Sequence, residues 1–282
     1  METLGKHQLW SFFDASGKLR LVRQHSAVRK GDGCPVGSYL ELATKIAELQ
    51  FRNKSHVLMF RGQHGDFRNR QHNTSIKPGL FRPAAKGKNP GPALLAKRFA
   101  SLKLAEERLI EAYRQQGFLG LDRILRTRVL RWAILQHYEV CPTPLLDVTH
   151  SLRIAASFAA LGNPSDRAYI YVLGIPNLSG GITASSEAGI QTIRLSSVCP
   201  PQALRPHIQE GYLLGEYPEL DTYEQNNRYA AYEIDFGLRL VAKFYFHPVE
   251  FWNNPSFPQI PKDALYPNAD DPLYQMAQGL KQ

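Results

Sequence analysis

Arg61, Gly62 and Gln63 are the first residues in the chain whose types and spacing could do chemistry, because they follow the apolar run from Val57 to Phe60. Such a run is typical of a strand that is buried on both faces. An arginine at its end is always charged and offers a planar fork of donors to phosphate or carboxylate oxygens. Gly62 allows the close approach of a ligand or of another backbone. The pattern predicts anion binding, and the alternative is an ion pair between Arg61 and a carboxylate such as Asp147.

A second group of polar residues is interleaved with apolar ones between residues 136 and 159. The stretch is typical of a helix end, a proline-braced turn, a short buried strand and a second helix. A polar group held inside a protein must find a hydrogen-bond partner or cost free energy. A functional site is the simplest reason to keep His137, Asp147 and Thr149 there. His137 could be a proton shuttle or a ligand, and the alternative is a core or rim residue whose hydrogen bonds are satisfied. Thr149 has a structural alternative as the cap of the second helix.

Gln136 and Cys141 carry narrower interpretations. Four side chains recur at spacings of four, three and four, and so predict one helix face: Leu125, Val129, Trp132 and Gln136. That face carries Gln136 toward the core, where hydrogen bonds to the turn at residues 141–144 would satisfy it. Cys141 and His137 could form a nucleophile pair. The surrounding residues offer no oxyanion-hole loop and no third orienting group, so we do not favour it.

The elements that must position these residues follow from the apolar periodicity. Residues 1–37 predict a hairpin extension with a turn at residues 15–17. Helices are predicted at residues 38–49, 94–116, 121–138 and 150–161, and strands at 57–60, 145–147, 167–176, 189–198, 212–214 and 240–246. The Gly-rich stretch 175–189 is predicted to be a loop, and residues 84–93 a flexible loop. The last helix is expected near the first strand.

Composition bounds the class of protein. The chain has 282 residues, 43% of them hydrophobic, enough to bury the core of one large domain or two small ones. Its three cysteines form no CxxC pair, so neither a disulfide framework nor a zinc site is expected. No stretch approaches the roughly 20 apolar residues that span a bilayer. We expect a cytoplasmic protein with no membrane partner and no metal.

The positive charge is uneven along the chain. Residues 52–131 contain 18 lysines and arginines against 5 acidic residues, a local charge of +13, so the remainder sums to −4. A basic half attracts a nucleic acid or a diphosphate-bearing cofactor, although an ordinary solvated surface explains it equally well. In the Tyr-rich stretch 220–247, four aromatic side chains could stack bases: Tyr223, Tyr229, Tyr232 and Phe236. The favoured alternative is an aromatic sheet edge.

Five short motifs then follow one another in a fixed order. They are FRG with Gln63, KPGLFR at 77–82, QHY with PTPLLDVT at 136–149, A-x-x-FA at 155–159, and R-x-x-x-Q-x-G at Arg205, Gln209 and Gly211. Each motif is weak alone, but the ordered series is specific. The chain resembles the FRG-domain family over residues 38–280, including a closing aromatic–Pro and short amphipathic helix.

The motif order of that family is similar to that of the ADP-ribosyltransferases, and this resemblance implies roles for individual residues. The implied NAD-binding residues are Arg61, Gly62, Gln63, His137, Asp147 and Thr149. Arg61 would contact the diphosphate or the nicotinamide ribose, and it is also a candidate catalytic residue together with Gln209 and Glu210. Either Gln209 or Glu210 would hold the ribose hydroxyl beside an oxocarbenium-like transition state. Gln209 lacks a carboxylate's charge, and Glu210 would face the opposite side of an extended segment.

The fold class we predict is α/β (α+β), with mixed or mainly antiparallel sheets. Residues 38–282 would form one FRG-like domain with a helical insertion at residues 94–138 and a cleft like that of ADP-ribosyltransferases. The resemblance implies an NAD-using enzyme with a protein or nucleic-acid target, in bacterial defence against phage or in toxicity. The alternative is a non-catalytic module that binds nucleic acid or a nucleotide. A nuclease is disfavoured, because no cluster of Asp, Glu or His has the spacing of metal ligands.

Overall fold

The N-terminal part of the chain forms the predicted hairpin and then enters the main sheet. In the computed structural model, which describes residues 1–4, 8–83, 89–219 and 234–281, strands β1 (Leu9–Ser11) and β2 (Arg20–Val22) pair antiparallel. Helix α1 (Ser26–Lys30), strand β3 (Cys34–Pro35) and helix α2 (Tyr39–Arg52) follow. Helix α2 begins where predicted, because the Ser38 side chain accepts a hydrogen bond from the Glu41 backbone N–H.

The main sheet is mostly antiparallel, as predicted. Its remaining strands are β4 (Val57–Gln63), β5 (Leu146–Thr149), β6 (Ala168–Ile175), β7 (Ile182–Ser185), β8 (Ile190–Arg194), β9 (Gly211–Glu216) and β10 (Leu240–Phe246). In the described part of the chain the order is β3-β10-β6-β4-β5-β9-β8-β7. Only the pairing of β3 with β10 is parallel there. Strands β4, β5 and β9 are therefore neighbours, which brings distant segments of sequence to one place.

The helices after α2 are α3 (Pro92–Gln115), α4 (Leu121–Arg126), α5 (Arg128–His137), α6 (Leu152–Ala160), α7 (Leu195–Val198), α8 (Arg205–Ile208), α9 (Pro248–Phe251), α10 (Lys262–Leu265) and α11 (Pro272–Gln278). The insertion is helical, but its second predicted helix is wrong as a single element. Thr127 is extended (φ −119°, ψ 100°) and separates α4 from α5. Leu125 therefore leaves the predicted stripe and is 43% exposed, whereas Val129 and Trp132 are buried.

Four further predictions differ from the structure. The strand predicted at residues 189–198 ends at Arg194, and residues 195–198 form helix α7. The stretch predicted to be a loop contains β7, an edge strand whose side chains alternate between more and less exposed positions. Helix α3 begins at Pro92, so the end of the predicted flexible loop is helical, while residues 84–88 lie outside the described residues. Strand β5 runs from Leu146 to Thr149 rather than over residues 145–147.

Two hydrophobic cores share the sheet. The first contains residues of α2, α6 and the N-terminal segment, including Leu4, Leu9 and Phe12. The second lies among α3, α4, α5 and α11, and it receives Leu213 of β9 while the adjacent Leu214 joins the first core. All of these elements form one compact fold. The last helix packs on α3 and the second core, not beside the first strand as expected. No described helix is long and apolar enough to cross a membrane.

Candidate functional site

A cavity of about 470 Å³ opens where β4, β5 and the start of β9 meet. It is lined by every predicted site residue except one: Arg61, Gly62, Gln63, His137, Asp147, Thr149 and Gln209. The pairing of Phe60 with Thr149, and of Thr149 with Gly211, explains how segments so far apart in sequence reach one cavity.

Glu210 is the predicted residue that the structure leaves out of the cavity. Its side chain is exposed, it is not among the lining residues, and its backbone is left-handed with φ 43°. The left-handed turn directs the chain from α8 into β9. Of the two candidates at this motif, only Gln209 lines the cavity.

Arg61 is held beside Asp147 in two ways. Its Nη1 donates a hydrogen bond to the backbone carbonyl of Asp147, and it interacts electrostatically with the Asp147 carboxylate. Burial lowers the pKa of Arg61 to about 10, so the guanidinium is still charged at neutral pH. Sequence offered two interpretations of Arg61, anion binding and an ion pair with Asp147. They are compatible, because Arg61 interacts with Asp147 and also lines the cavity.

Asp147 is the carboxylate of strand β5 that faces the cavity, with a side chain that is 39% exposed. Its Oδ2 accepts a hydrogen bond from Gln136 Nε2 at 2.7 Å, and its Oδ1 lies 3.9 Å from His137 Nδ1, too far for a good hydrogen bond. Burial acts to raise the pKa of Asp147, but His137 and the charge of Arg61 outweigh it and place the pKa below its usual range. Asp147 is therefore ionised at neutral pH.

Gln136 connects Asp147 to the turn before β5. Its Oε1 accepts hydrogen bonds from the Thr143 hydroxyl at 2.9 Å and from the Thr143 backbone N–H at 3.3 Å. The prediction that Gln136 bonds this turn is confirmed. The hydrogen bond from Gln136 Nε2 to Asp147 was not predicted, and it fixes the orientation of the carboxylate.

His137 is buried against the same carboxylate. Burial lowers the pKa of its imidazole, so the ring is neutral at neutral pH. Its Nε2 has no hydrogen-bond partner among the described residues. The ring also packs against Gly211, where a Cβ would lie 3.3 Å from His137 Cε1.

Thr149 and Gln209 frame the cavity through hydrogen bonds of their own. The Thr149 hydroxyl donates to the Gln209 carbonyl at 2.8 Å and accepts from the Ser151 N–H at 3.0 Å. Gln209 Nε2 donates to the Leu265 carbonyl at 2.8 Å. These bonds join β5 to the turn before β9 and to the segment that carries Tyr266.

Gly62 is required by a neighbouring backbone. A Cβ on Gly62 would lie 2.0 Å from the Ala155 carbonyl oxygen and 2.8 Å from the Ala159 nitrogen. The small residues of α6 allow that helix to lie directly on β4. Of the two roles that sequence allowed for Gly62, the structure supports close approach of another backbone.

Sequence reasoning gave no role to four other residues that line the cavity: Arg82, Glu139, Arg205 and Tyr266. Three of them had a signal, because Arg82 and Arg205 occur in the KPGLFR and R-x-x-x-Q-x-G motifs and Tyr266 is the aromatic of the closing segment. Glu139 had none. Arg205 is buried, lies 4.7 Å above the centroid of the Tyr266 ring, and pairs with Glu139 at 2.7 Å.

Two alternative chemistries receive no support from the described residues. Burial raises the pKa of the Cys141 thiol to about 11, so it is not a thiolate at neutral pH. The part of the chain that the structure describes contains no group of three or more His, Cys, Asp or Glu that could hold a metal ion. Base stacking by Phe236 is wrong, because its side chain is fully buried in the first hydrophobic core. Tyr223, Tyr229 and Tyr232 lie outside the described residues, so base stacking by them stays a prediction.

The fold and cavity define an α/β protein with a mostly antiparallel sheet and a cleft that has arginines and carboxylates in its wall. The family model of the FRG domain matches residues 56–167, so the chain contains an FRG domain. No curated protein and no solved structure matches the chain. The matched stretch contributes Arg61, His137, Asp147 and Thr149, whereas Gln209, Arg205 and Tyr266 come from beyond it.

Proposed function

We propose that this FRG-domain protein is an ADP-ribosyltransferase-like enzyme that uses NAD as its substrate, with a protein or nucleic acid as acceptor and a role in bacterial defence or toxicity. The observation that carries the proposal is the convergence of Arg61, Asp147, Thr149 and Gln209 on one cavity. These residues come from three separate motifs. If their side chains lay on different surfaces, they could not form one site.

The cavity has properties that suit a dinucleotide. Its volume of about 470 Å³ lies within the range of about 300–1,000 Å³ for small-molecule sites. Arg61 offers a planar fork of donors to a diphosphate. Phe158 and Tyr266, whose ring centroids are 5.7 Å apart, supply apolar wall for a planar ring.

The reaction we propose breaks the bond between the ribose C1′ and the nicotinamide nitrogen. The bonding electron pair leaves with nicotinamide, positive charge develops on the ribose, and the acceptor forms a bond to C1′ as it loses its proton. Asp147 is the ionised carboxylate available to stabilise that charge in a partly desolvated wall. Glu210, which the resemblance implied as one candidate for holding the ribose hydroxyl, has its side chain outside the cavity, so Gln209 is the candidate of that motif that lines it.

The proposal is tested by the release of nicotinamide from NAD, measured chromatographically with a panel of protein and nucleic-acid acceptors. Arg61→Ala should abolish release, with the fold checked by circular dichroism and thermal melting. Arg153→Ala is a matched control, because Arg153 is an arginine outside the cavity that donates only to the Pro258 carbonyl in the described structure. Absence of NAD consumption with every acceptor would sink the proposal.

A second candidate is a module that binds a nucleotide or nucleic acid without catalysis. It is favoured by the internal hydrogen bonds of Thr149 and Gln209, which act as framework, and by the absence of Glu210 from the cavity. The module predicts salt-sensitive binding of nucleic acid that survives Arg61→Ala and Gln209→Ala. The enzyme predicts instead that Arg61→Ala removes NAD turnover.

A further inference from the structure

Arg205 is a second guanidinium in the wall of the cleft, and aromatic rings hold it in place. It is 5% exposed, and its charge lies over the Tyr266 ring at 4.7 Å and over the Tyr138 ring at 5.7 Å. Its backbone N–H donates to Asp271 Oδ2 at 2.9 Å, and the Tyr138 hydroxyl donates to the same oxygen at 2.9 Å. The aromatic and backbone contacts fix the position of the cation before any ligand arrives.

The carboxylate that pairs with Arg205 is placed very differently. Glu139 Oε1 lies 2.7 Å from Arg205 Nη2, but the Glu139 side chain is 62% exposed while that of Arg205 is 6% exposed. Glu139 also has a left-handed backbone with φ 56°, just after the end of α5. Glycine is favoured at such a position, so the identity of this residue is not explained by the helix end.

Two buried ion pairs elsewhere in the described structure differ from this arrangement. In the pairs Arg29–Asp235 and Lys243–Asp66 both partners are buried, with side-chain exposures of at most 11%. Each carboxylate there accepts further hydrogen bonds, from Ile76 N–H and Gly237 N–H on Asp235 and from the Thr74 hydroxyl on Asp66. The pair of Arg205 with Glu139 joins a fixed, buried cation to an exposed carboxylate that can swing into solvent.

Arg205 and Arg61 are linked through the charges of the same wall. The charge of Arg205 helps to lower the pKa of His137, which lies beside Asp147, and the charge of Arg61 lowers the pKa of Asp147. Its Nε is buried and has no hydrogen-bond partner among the described residues. A buried cation needs a counter-ion, and a phosphate matches the planar fork of arginine as well as a carboxylate does.

We propose that Arg205 is a second anion-binding residue of the cleft, and that Glu139 is an internal counter-ion displaced by a phosphate of the ligand. The ligand class is a compound with a diphosphate group. Its identity as NAD rests on the proposed function, whereas the exchange of Glu139 for a phosphate does not.

The test is calorimetric titration of inorganic pyrophosphate into the full chain at low ionic strength. Glu139→Gln removes the competing charge and keeps the side-chain length, so pyrophosphate should bind about three- to tenfold more tightly. Arg205→Gln should weaken binding at least about tenfold. Arg205→Lys should also weaken it, because a point charge does not replace the fork.

A matched pair of controls lies on α3. Arg114 Nη1 is also 2.7 Å from a glutamate, Glu111 Oε2, but both side chains are more than half exposed and neither lines the cavity. Glu111→Gln and Arg114→Gln should leave pyrophosphate affinity unchanged apart from a small effect of net charge. Thermal melts identify any variant of Arg205 that fails to fold, and Glu139→Gln then decides the question alone.

Three results would overturn the inference. They are weaker or unchanged binding in Glu139→Gln, unchanged binding in folded Arg205→Gln, and no measurable pyrophosphate binding in both the parent chain and Glu139→Gln. Weaker binding in Glu139→Gln would mean that Glu139 positions Arg205 instead of competing with the ligand. Nicotinamide release is measured separately, so failure of NAD turnover with tighter pyrophosphate binding in Glu139→Gln would remove the proposed function and leave this inference standing.

Discussion

Asp147 is the residue on which several contacts of the cleft converge. Gln136 fixes one carboxylate oxygen, His137 lies beside the other, and Arg61 supplies the opposite charge. Burial lowers the pKa of the His137 imidazole, whereas His137 and then Arg61 lower the pKa of the Asp147 carboxyl, so a neutral His137 and an ionised Asp147 lie side by side.

Replacement of that charge is the sharpest test at the scale of a residue. We expect Asp147→Asn to lower NAD turnover by about 100-fold or more, because the amide keeps the shape and an acceptor for Gln136 but cannot stabilise positive charge. The measurement is nicotinamide release at saturating NAD. Asp166→Asn is a control for the loss of one exposed carboxylate. Undiminished turnover in Asp147→Asn would exclude the role proposed for Asp147.

At the scale of an element, helix α6 lies directly on strand β4 because Gly62 has no side chain. Gly62→Ala would place a methyl group 2.0 Å from the Ala155 carbonyl, so α6 must move away from β4. We expect the free energy of unfolding in urea to fall by about 3 kcal/mol, at the upper end of overpacking costs. Gly65→Ala is the matched control, because no atom lies within 4 Å of its added Cβ. Equal stabilities of the two variants would contradict the tight contact.

The attachment of α1 to β10 predicts a dependence of stability on pH. His25 Nε2 donates to the Leu240 carbonyl at 2.7 Å, and burial, with smaller effects from Arg29 and Arg239, lowers the pKa of His25 from 6.5 to about 4. The folded state therefore resists protonation that the unfolded state accepts. The contribution of neutral His25 to the free energy of unfolding is complete above pH 6.5 and is lost as the pH falls toward 4. The loss is about 3 kcal/mol in all.

Urea unfolding measured from pH 7.5 to pH 4 checks this effect. In His25→Gln the amide can still donate to Leu240, but the titrating group is gone, so stability should fall less steeply through the window than in the parent chain. His150→Gln controls for the removal of an exposed histidine. Parallel curves for the parent chain and His25→Gln would show that His25 does not titrate in this way.

The elements that sequence predicted well are those specified by local patterns. The apolar run at 57–60 and the strand at 240–246 need no distant information, because both are buried on both faces and any neighbour suits them. The break at Thr127 and the strand β7 escaped prediction since helical residues flank the first and Gly-rich segments flank the second. The shared cavity was predictable from the order of the motifs, not from spacing.

The roles within the cavity depend on contacts that no local pattern contains. From the sequence, Gly62 could allow the close approach of either a ligand or another backbone. The packing of α6 on β4 shows that the neighbour is the backbone of α6. Gln209 and Glu210 are adjacent, and a left-handed residue between α8 and β9 determines which one enters the cavity. Glu139 carries no signal in sequence, because its pairing with Arg205 joins positions 66 residues apart.

At the scale of the whole molecule, a buried charge network ties the loop after β4 to β10. Lys243 is fully buried and lies 2.6 Å from Asp66 Oδ2 and 2.8 Å from the Thr74 hydroxyl, while Arg68 Nε lies 2.8 Å from the same carboxylate oxygen. The network fixes the loop that continues from Gln63 toward Arg82. The mouth of the cleft thereby depends on a strand beyond β6.

Removal of one member leaves the buried carboxylate with less compensation. We expect Lys243→Met to lower the free energy of unfolding by about 3 kcal/mol, since Asp66 stays buried and retains only Arg68 as a cation. Arg114→Met, at an exposed pair, should cost about 0.5 kcal/mol or less. Urea unfolding of both variants measures the difference. Similar losses would mean that the buried network contributes no more than a surface ion pair.

Asp271 connects helix α11 to the wall of the cleft. Its Oδ1 accepts from the Leu273 and Tyr274 N–H groups at the start of α11, while its Oδ2 accepts from the Arg205 backbone N–H and from the Tyr138 hydroxyl. A ligand that immobilises Arg205 should also slow the exchange of amide hydrogens with deuterium along residues 273–278, because opening of that helix frees the Arg205 backbone N–H and the Tyr138 ring that lies against the guanidinium. Mass spectrometry of the C-terminal peptide can therefore detect occupancy of the cleft without a labelled ligand or a catalytic assay.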